Sequence, residues 1–532
     1  MINNIFSWQV LKIYIDNFMS AKNKKIIKYF QLFSFLLLIF VKDNYGSNII
    51  AATDSENALA HNNGRKIAIS SEGTINLVFQ NNNDIYYVFL KATESGWSEP
   101  INVSNSVGIS GYPSIAVDST NRKHIVWQDN TIPGNPEQAD RFRIYYKNFI
   151  EPDEISTRMA TIIGESVGDC QNPSITIAED GQLYAAWAAF MGLTVGWEIN
   201  YSVGKLIGSG LTGTYDWTYP EIPGKDMGMG SSFFPMIATK YNVTFIAWLE
   251  YSPTEAVVNL MKYLTTENWS EPFDLSSAAI GPSPFSTAGI PNLVVGPDTI
   301  VHLVFQEEHG FKDIFYLDYK AGDSLIYCKG VNISHSEFPS STPSISIDKD
   351  NNLYAVWQEN DNDNSEIFLC VRHEGSWLPP ENISLSSQPS FQPQLPAVTG
   401  DSLLIIWLEG SSAPYHIMFK KVKSLITQVE RTRTGSEIVP EDHILFQNYP
   451  NPFNSVTTIK YYLSSVTRAD LTISDILGRH IKTLAHGLEN KGFHTLMWNG
   501  KDKHGKPVNS GVYMIVFKTE FNQKVKKLLI IN

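Results

Sequence analysis

Seven positions in this chain of 532 residues recur in a pattern that could carry chemistry. Two residues beyond a repeated Trp or Phe stand Asn81, Asp129, Ala189, Glu250, Glu307, Glu359 and Glu409, five of them acidic. Brought onto one rim, such carboxylates could hold Ca²⁺ or accept hydrogen bonds from sugar hydroxyls. A plainer origin stands beside this one: a repeated unit repeats its acid, here as a polar device that ends a strand. The loop Asp361-Asn362-Asp363-Asn364-Ser365-Glu366 adds carboxylates but lacks the full pattern of a calcium loop. No Gly-x-Ser-x-Gly elbow, phosphate-binding loop or His-Glu-x-x-His occurs. His124 and His302 fall inside strand patterns, where packing is the natural role. No nucleophile, base or metal-ligand set emerges, so recognition is expected ahead of catalysis.

The elements that position these acids come from a repeat. Seven segments share one plan, a short apolar strand, a polar turn, and a strand closed by an aromatic residue, as in PSIAVDSTNRKHIVW and PSISIDKDNNLYAVW. The closing aromatics are Phe79, Trp127, Trp187, Trp248, Phe305, Trp357 and Trp407, spaced 48 to 61 residues apart. Six units open on a proline (Pro113, Pro173, Pro235, Pro291, Pro343, Pro393) that lies 14 residues before its aromatic, or 13 in the case of Pro235. Fixed spacing inside the unit with variable spacing between units describes a structural repeat with free loops. A third strand follows each aromatic, and several units add a Trp-x-x-Pro strand at Trp97, Trp269 and Trp377. Four short antiparallel strands per unit make a propeller blade, and no stretch here keeps a helical period for three turns. The count is seven blades, within a range of six to eight. The last unit lacks a clear fourth strand, which the segment Asn48–Arg65 can supply so that no edge stays open.

This plan of Pro, turn and Trp resembles the sialidase-like superfamily of β-propellers, over Asn48 to Leu425. The resemblance implies a carbohydrate-active glycosidase or lyase as the rival to a binding module. Sialidases clamp a substrate carboxylate with clustered arginines, and the propeller offers only Arg65, Arg122, Arg141, Arg143, Arg158 and Arg372. The Asp-box Ser-x-Asp-x-Gly-x-x-Trp is absent, SIDKDNNLYAVW keeping only Ser346 and Asp348 of it. Both departures argue against sialidase activity.

Composition agrees with an all-β globular chain: 43% hydrophobic, 18% charged and 12% aromatic residues. The net charge of −13 leaves no electrostatic footprint for nucleic acid. Residues 444–532 hold 12 Lys and Arg against 5 Asp and Glu, a net of +7, so the rest carries −20. A basic tail on an acidic body points to two separate jobs. The three cysteines, Cys170, Cys328 and Cys370, form no disulfide framework, though one bridge is open to them if two meet.

Lys22, Lys24, Lys25 and Lys28 precede a 13-residue apolar run from Tyr29 to Val41, followed by Gly46-Ser47. This is the three-part form of a signal peptide within residues 1–47, and the run is shorter than the roughly 20 residues of a membrane span. A signal starting at Met19 has normal proportions. At the other end, a polar linker over 426–445 leads to alternating strands with glycine turns over 446–532, the pattern of a small immunoglobulin-like β-sandwich. Tyr449-Pro450-Asn451-Pro452-Phe453-Asn454, Leu477-Gly478-Arg479, Trp498-Asn499-Gly500, Gly511-Val512-Tyr513 and Lys526-Lys527 resemble the C-terminal sorting domain of type IX secretion. The related module of flagellar hook-capping proteins shares the Trp-Asn-Gly to Gly-Val-Tyr core. The sorting resemblance implies transit through the periplasm and recognition by the outer-membrane machinery and its sortase-like peptidase. The cargo is then anchored on the surface or released. Arg479, Lys526 and Lys527 are the expected recognition residues, with Gly478 and Gly511 serving turns. The propeller's own ligand, an extracellular glycan or protein, stays unnamed, and a structural or adhesion role is the third alternative.

Overall fold

In the computed structural model, the described residues are 48–423 and 444–530. Within the first span 133–134, 208–213, 224–229, 242, 253–255, 265–268, 276–287, 309–311, 321–329, 337, 362–363, 374 and 401 are left out. Within the second, 446–452, 454–455, 464–465, 476–477, 491 and 520–522 are left out. The signal region, Cys328, Asp363 and the tag residues Tyr449, Pro450, Asn451, Pro452 and Asn454 therefore lie outside the described residues. The chain forms two compact units that divide between Ser424 and Leu425.

The first unit is a seven-bladed β-propeller. Blades 1 to 6 each come from consecutive antiparallel strands, for example Ser110–Val117, Lys123–Ile132, Asn135–Phe149 and Thr161–Gly164 in blade 2. Blade 7 takes Ser390–Gln394, Ser402–Glu409 and Tyr415–Lys423 from the end of the ring, and its outermost strand, Asn48–Thr53, from the beginning. Strands from both ends thus share one sheet and close the ring.

The repeat aromatics are the glue between blades. Trp127, Trp187, Trp248, Trp357, Trp407, Phe79 and Phe305 are all fully buried. Trp127 packs with Val78 and Ile85 of blade 1, Trp187 with Val126 and Ile144 of blade 2, and Trp357 with Val304 and Ile314 of blade 5. Outer strands add a second contact. Trp97, Trp217, Trp269 and Trp377 set their rings edge-on, 5.0 to 5.3 Å between centroids, against Phe419, Tyr146, Tyr201 and Tyr316 of the preceding blade. The Trp-x-x-Pro strands are therefore latches between blades.

At the axis seven innermost strands present backbone groups that have no further strand to pair with, and such groups are costly to bury unpaired. Two devices satisfy them. The residue after five of the six repeat prolines accepts from the next blade: Ser114 from Ile175 N–H, Ser174 from Ile237, Met236 from Leu293, Asn292 from Ile345 and Ser344 from Leu395, at 3.0 to 3.3 Å. The carbonyls are met by a plug formed of residues 58–66, which are almost wholly buried. Asn62 donates to Pro343 and Ile290, Asn63 to Asn172 and Pro235, and Arg65 to Leu395 at 3.1 Å and Leu293 at 2.7 Å. Arg65 also accepts from Ile115 N–H of blade 2 through its own carbonyl. Gly64 is required by space, since a Cβ there would sit 2.9 Å from the Pro173 carbonyl oxygen.

The second unit is a β-sandwich. One sheet orders Ile444–Leu445, Thr457–Leu463 and Gly492–Trp498; the other orders His480–Glu489, Thr467–Asp475, Gly511–Thr519 and Gln523–Ile530. Trp498, Tyr461 and Phe517 fill its core, and Phe453 joins them, buried with its ring 5.6 Å from that of Trp498. Gly478 takes φ +78° in the turn between Asp475 and Arg479, a conformation glycine adopts freely. Lys526 and Lys527 are exposed, and Arg479 is paired with Asp475 at the surface. In the propeller, Cys170 and Cys370 stand as separate buried thiols.

The plug predicts a stability effect far from any ligand. Replacing Arg65 by Met keeps the volume and removes the donors, and should cost about 2 to 4 kcal/mol in denaturant unfolding of the chain freed of residues 1–47. An unchanged midpoint would mean that water replaces the guanidinium at the axis.

Candidate ligand-binding face

Each second strand ends at the same face of the ring, here called the upper face, where the inner strands begin. The acids sit there, but they turn toward their own blades. Asp129 accepts from Ser110 Oγ at 2.6 Å and from Trp127 Nε1 at 3.4 Å. Glu359 accepts from Ser340 and Trp357 at 3.5 and 3.4 Å, and Glu409 from Ser390 and Trp407 at 3.3 and 3.4 Å. The hydroxyl and the acid stand opposite each other in register, as Ser110–Asp129, Ser232–Glu250, Ser340–Glu359 and Ser390–Glu409. In blade 3 the same register pairs Cys170 with Ala189, so both polar partners are lost together. Glu250 takes its hydrogen bond from Asn259 Nδ2 at 2.7 Å, and Glu307 is buried. Burial raises the carboxyls of Glu250 and Glu359. Among the described residues no three His, Cys, Asp or Glu side chains group as a metal site, and Glu366 of the acidic loop is engaged by Ser384.

What the upper face does assemble is aromatic. The residue before the repeat proline has positive φ in five blades: Tyr112 (51°), Asn172 (57°), Phe234 (54°), Thr342 (49°) and Gln392 (54°). Each lies in a register shift of its inner strand, a bulge that re-aims the side chain. His61 of the plug stacks on Tyr112 and meets Phe234 edge-on, both at 4.8 Å. From Phe234 the rings continue to Phe233 at 6.1 Å, Trp197 at 5.1 Å and Phe190 at 5.7 Å, with Tyr251 branching from Phe233 at 5.9 Å. This track of half-buried rings runs from the axis out over blades 3 and 4. Leu193, 98% exposed, and Val195 lie in the loop joining Phe190 to Trp197. Burial, with Lys66 nearby, pushes the His61 imidazole down to about 4, so it meets a ligand as a neutral ring.

Two carboxyls neighbour track residues in the chain, Glu198 after Trp197 and Glu250 before Tyr251, and along a strand such neighbours point to opposite faces. Glu198 is only 6% exposed, and its Oε2 has no hydrogen-bond partner. Burial, and then the charge of Glu250, push its carboxyl up to about 7.

The arginines expected of a carboxylate clamp are dispersed. Arg65 is in the plug, Arg141 and Arg143 pair with Glu165 and Asp140, Arg158 pairs with Glu154, Arg122 donates to Asn148, and Arg372 pairs with Asp318 over the Tyr316 ring. His124 and His302 each hydrogen-bond a buried tyrosine, Tyr146 and Tyr316, at 2.8 Å within the blade interfaces.

Residues 454–521 match the FlgD Ig-like domain. That makes the C-terminal sandwich an immunoglobulin-like domain. Among curated proteins none matches the sequence. Solved structures similar to the chain include a polysaccharide lyase of family PL25, an ulvan lyase bound to -[GlcA(1-4)Rha3S]-, at TM-score 0.49 and 11% identity over 72% of this chain and 98% of that one. The BP39L lectin from Burkholderia pseudomallei aligns at TM-score 0.46 and 11% identity, over 69% of this chain and 97% of the lectin. The Trypanosoma rangeli sialidase in complex with DANA aligns at TM-score 0.41 and 11% identity, over 91% and 90%. Carbohydrate-active enzymes and a lectin thus stand among the structural neighbours.

Sequence reasoning missed the aromatic track. Its signal was the residue just before each repeat proline, in GYP and SFFP, whose place at the axis became plain only with the bulge.

Glu198 also gives a test in pH. A carboxyl raised in the folded state favours folding while protonated. Its contribution is complete below its ordinary value of 4.5, declines as pH rises, and is lost once pH passes about 7. The Glu198→Gln variant should therefore lose less melting temperature than the parent between about pH 5 and pH 8, by a few degrees. Parallel curves would show that this carboxyl ionises like an exposed one.

Proposed function

We propose that this protein is exported, carries a type IX sorting tag in residues 446–532, and uses the upper face of its propeller to bind an extracellular glycan without transforming it. The observation that carries the binding reading is the continuous track Tyr112–His61–Phe234–Phe233–Trp197–Phe190. Aromatic faces bury the C–H faces of sugar rings with little loss of side-chain freedom, and flanking carboxyls accept hydroxyl hydrogen bonds. The carboxylates expected to ring the axis, Glu250 among them, instead serve their own blades, which leaves the rings as the exposed feature of this face. The enzymatic alternative has one observation in its favour, since burial, and then the charge of Glu250, push the Glu198 carboxyl up to about 7, the range a general acid needs. The basic C-terminal unit, with its Phe453 anchor and exposed Lys526 and Lys527, supports the sorting reading.

Incubating the chain freed of residues 1–47 with a mixed glycan pool, followed by mass spectrometry, separates these readings. Retention without cleavage is expected, and Trp197→Ala should weaken it about tenfold or more. Cleaved glycans would establish the enzyme in its place. For export, removing residues 446–532 from the full-length protein in a host with type IX secretion should leave it in the periplasm. The joint replacement of Lys526 and Lys527 by Ala should reduce the surface fraction. Undiminished surface display of the truncated chain would end the sorting reading.

A further inference from the structure

The pairing of serine and acid beside the repeat tryptophan is kept in blades 2, 6 and 7, where Asp129, Glu359 and Glu409 accept from the serine opposite at 2.6, 3.5 and 3.3 Å. Blade 4 has the same residue types in the same register, Ser232 opposite Glu250 with Trp248 two residues earlier. There the pair is open. The Glu250 carboxylate is turned to Asn259 Nδ2, at 2.7 Å, and the fully buried Ser232 hydroxyl has no partner. A buried hydroxyl left unpaired costs free energy, so the displacement calls for a cause. It lies on the third strand. The residue paired with the repeat tryptophan is Tyr145, Phe368 or Met418 in the blades that keep the pair, and Asn259 in blade 4. An amide donor stands where the others carry a ring or a thioether, and it draws the acid off its serine. Register also says where the carboxylate goes. Trp248, Asn259 and Glu250 share the face of blade 4 that turns to blade 3, where Trp248 packs with Ala188 and Ile199. Phe190 and Trp197 lie two residues further up on the facing side of blade 3. Glu250 and Trp197 therefore stand at the upper end of one blade interface.

We infer that Glu250, held off its serine by Asn259, accepts a hydroxyl of the sugar that sits on Trp197, and that the polymer so selected is neutral. This rests on the glycan-binding reading above and names the ligand class. An ionised carboxylate has room for about four hydrogen bonds, so the one from Asn259 leaves capacity for a ligand. A hydrogen bond to an ionised acceptor is stronger than one to a neutral group, which suits a site that must hold a hydroxyl in competition with water. A uronate or sialate on the same rings would bring a second carboxylate against Glu250. The guanidiniums of blade 2, Arg141 and Arg143, are already paired with Glu165 and Asp140. In blades 2, 6 and 7 the acid secures its own blade; in blade 4 the same acid is set aside for the ligand, and the unpaired Ser232 is the cost.

The experiment is isothermal titration of the protein lacking residues 1–47 with a soluble β-glucan, a xylan, a mannan, alginate and polygalacturonate, each variant being melted in parallel. Asn259→Met copies blade 7. It should let Glu250 return to Ser232, raise the melting temperature, and bind a neutral polysaccharide about tenfold more weakly. Weaker binding together with higher stability is not what a merely structural asparagine would give. Asn259→Gln keeps the amide donor and should bind more tightly than Asn259→Met. Glu250→Gln should show the same loss of about tenfold, and it decides the matter if Asn259→Met fails to fold. Neither polyuronate should bind the parent. If Trp197→Ala weakens binding of a neutral polysaccharide while Glu250→Gln binds like the parent, this inference falls and the aromatic reading survives. Preference for alginate or polygalacturonate would overturn it as well. If no polysaccharide binds the parent, the glycan reading itself fails, and this inference with it.

Discussion

The structure depends on how seven inner strands end at an axis. A sheet edge buried with unpaired carbonyls is a large penalty, and the ring has seven such edges facing one another across a narrow space. The chain resolves this with nine residues. Asn62, Asn63 and Arg65 act as donors chosen for reach, two short amides and one long fork, and together they touch blades 3 to 7. The cost is a cation deep in the protein, whose guanidinium is held at about 9 by burial. Among the described residues no carboxylate pairs with it, and two carbonyls with the Ser344 hydroxyl accept from the guanidinium. Because the plug belongs to the start of the ring and meets blade 7 as well as blade 3, it serves as a second closure, inside the one made by strand Asn48–Thr53.

Much of this was legible in the residues. The spacing of Pro113 to Trp127, and of its counterparts, announces an inner hairpin, because constant spacing is what a conserved turn imposes. The buried indoles follow from it. The serine after the proline was visible as a repeated letter, but its role as acceptor for the next blade was not, because that partner lies 51 to 63 residues away. The plug was hidden for a different reason. The segment Ala58-Leu59-Ala60-His61-Asn62-Asn63-Gly64-Arg65-Lys66 carries no period, and its polar residues read as a surface loop. Only ring closure makes that segment interior.

The acids show how recurrence in a sequence can mislead about chemistry. Ser110 with Asp129, Ser340 with Glu359 and Ser390 with Glu409 form the same small bracket around an indole N–H. Blade 3 replaces hydroxyl and acid at once by Cys170 and Ala189, as expected of two groups that exist for each other. The informative positions are therefore where the repeat breaks its own rule. Blade 3 breaks it at Cys170 and Ala189, and Ala189 is the register partner of Glu198.

The path of blade 7 has a geometric consequence. Its outermost strand runs from Asn48 up to Thr53, which pairs with Tyr415, while its third strand runs down from Tyr415 to Lys423. The incoming and outgoing chain therefore share one exit, on the side of the ring turned away from His61, Trp197 and Phe190. Asn48 and Lys423 themselves stand behind the aromatic face, where a stem would join the underside of a dish.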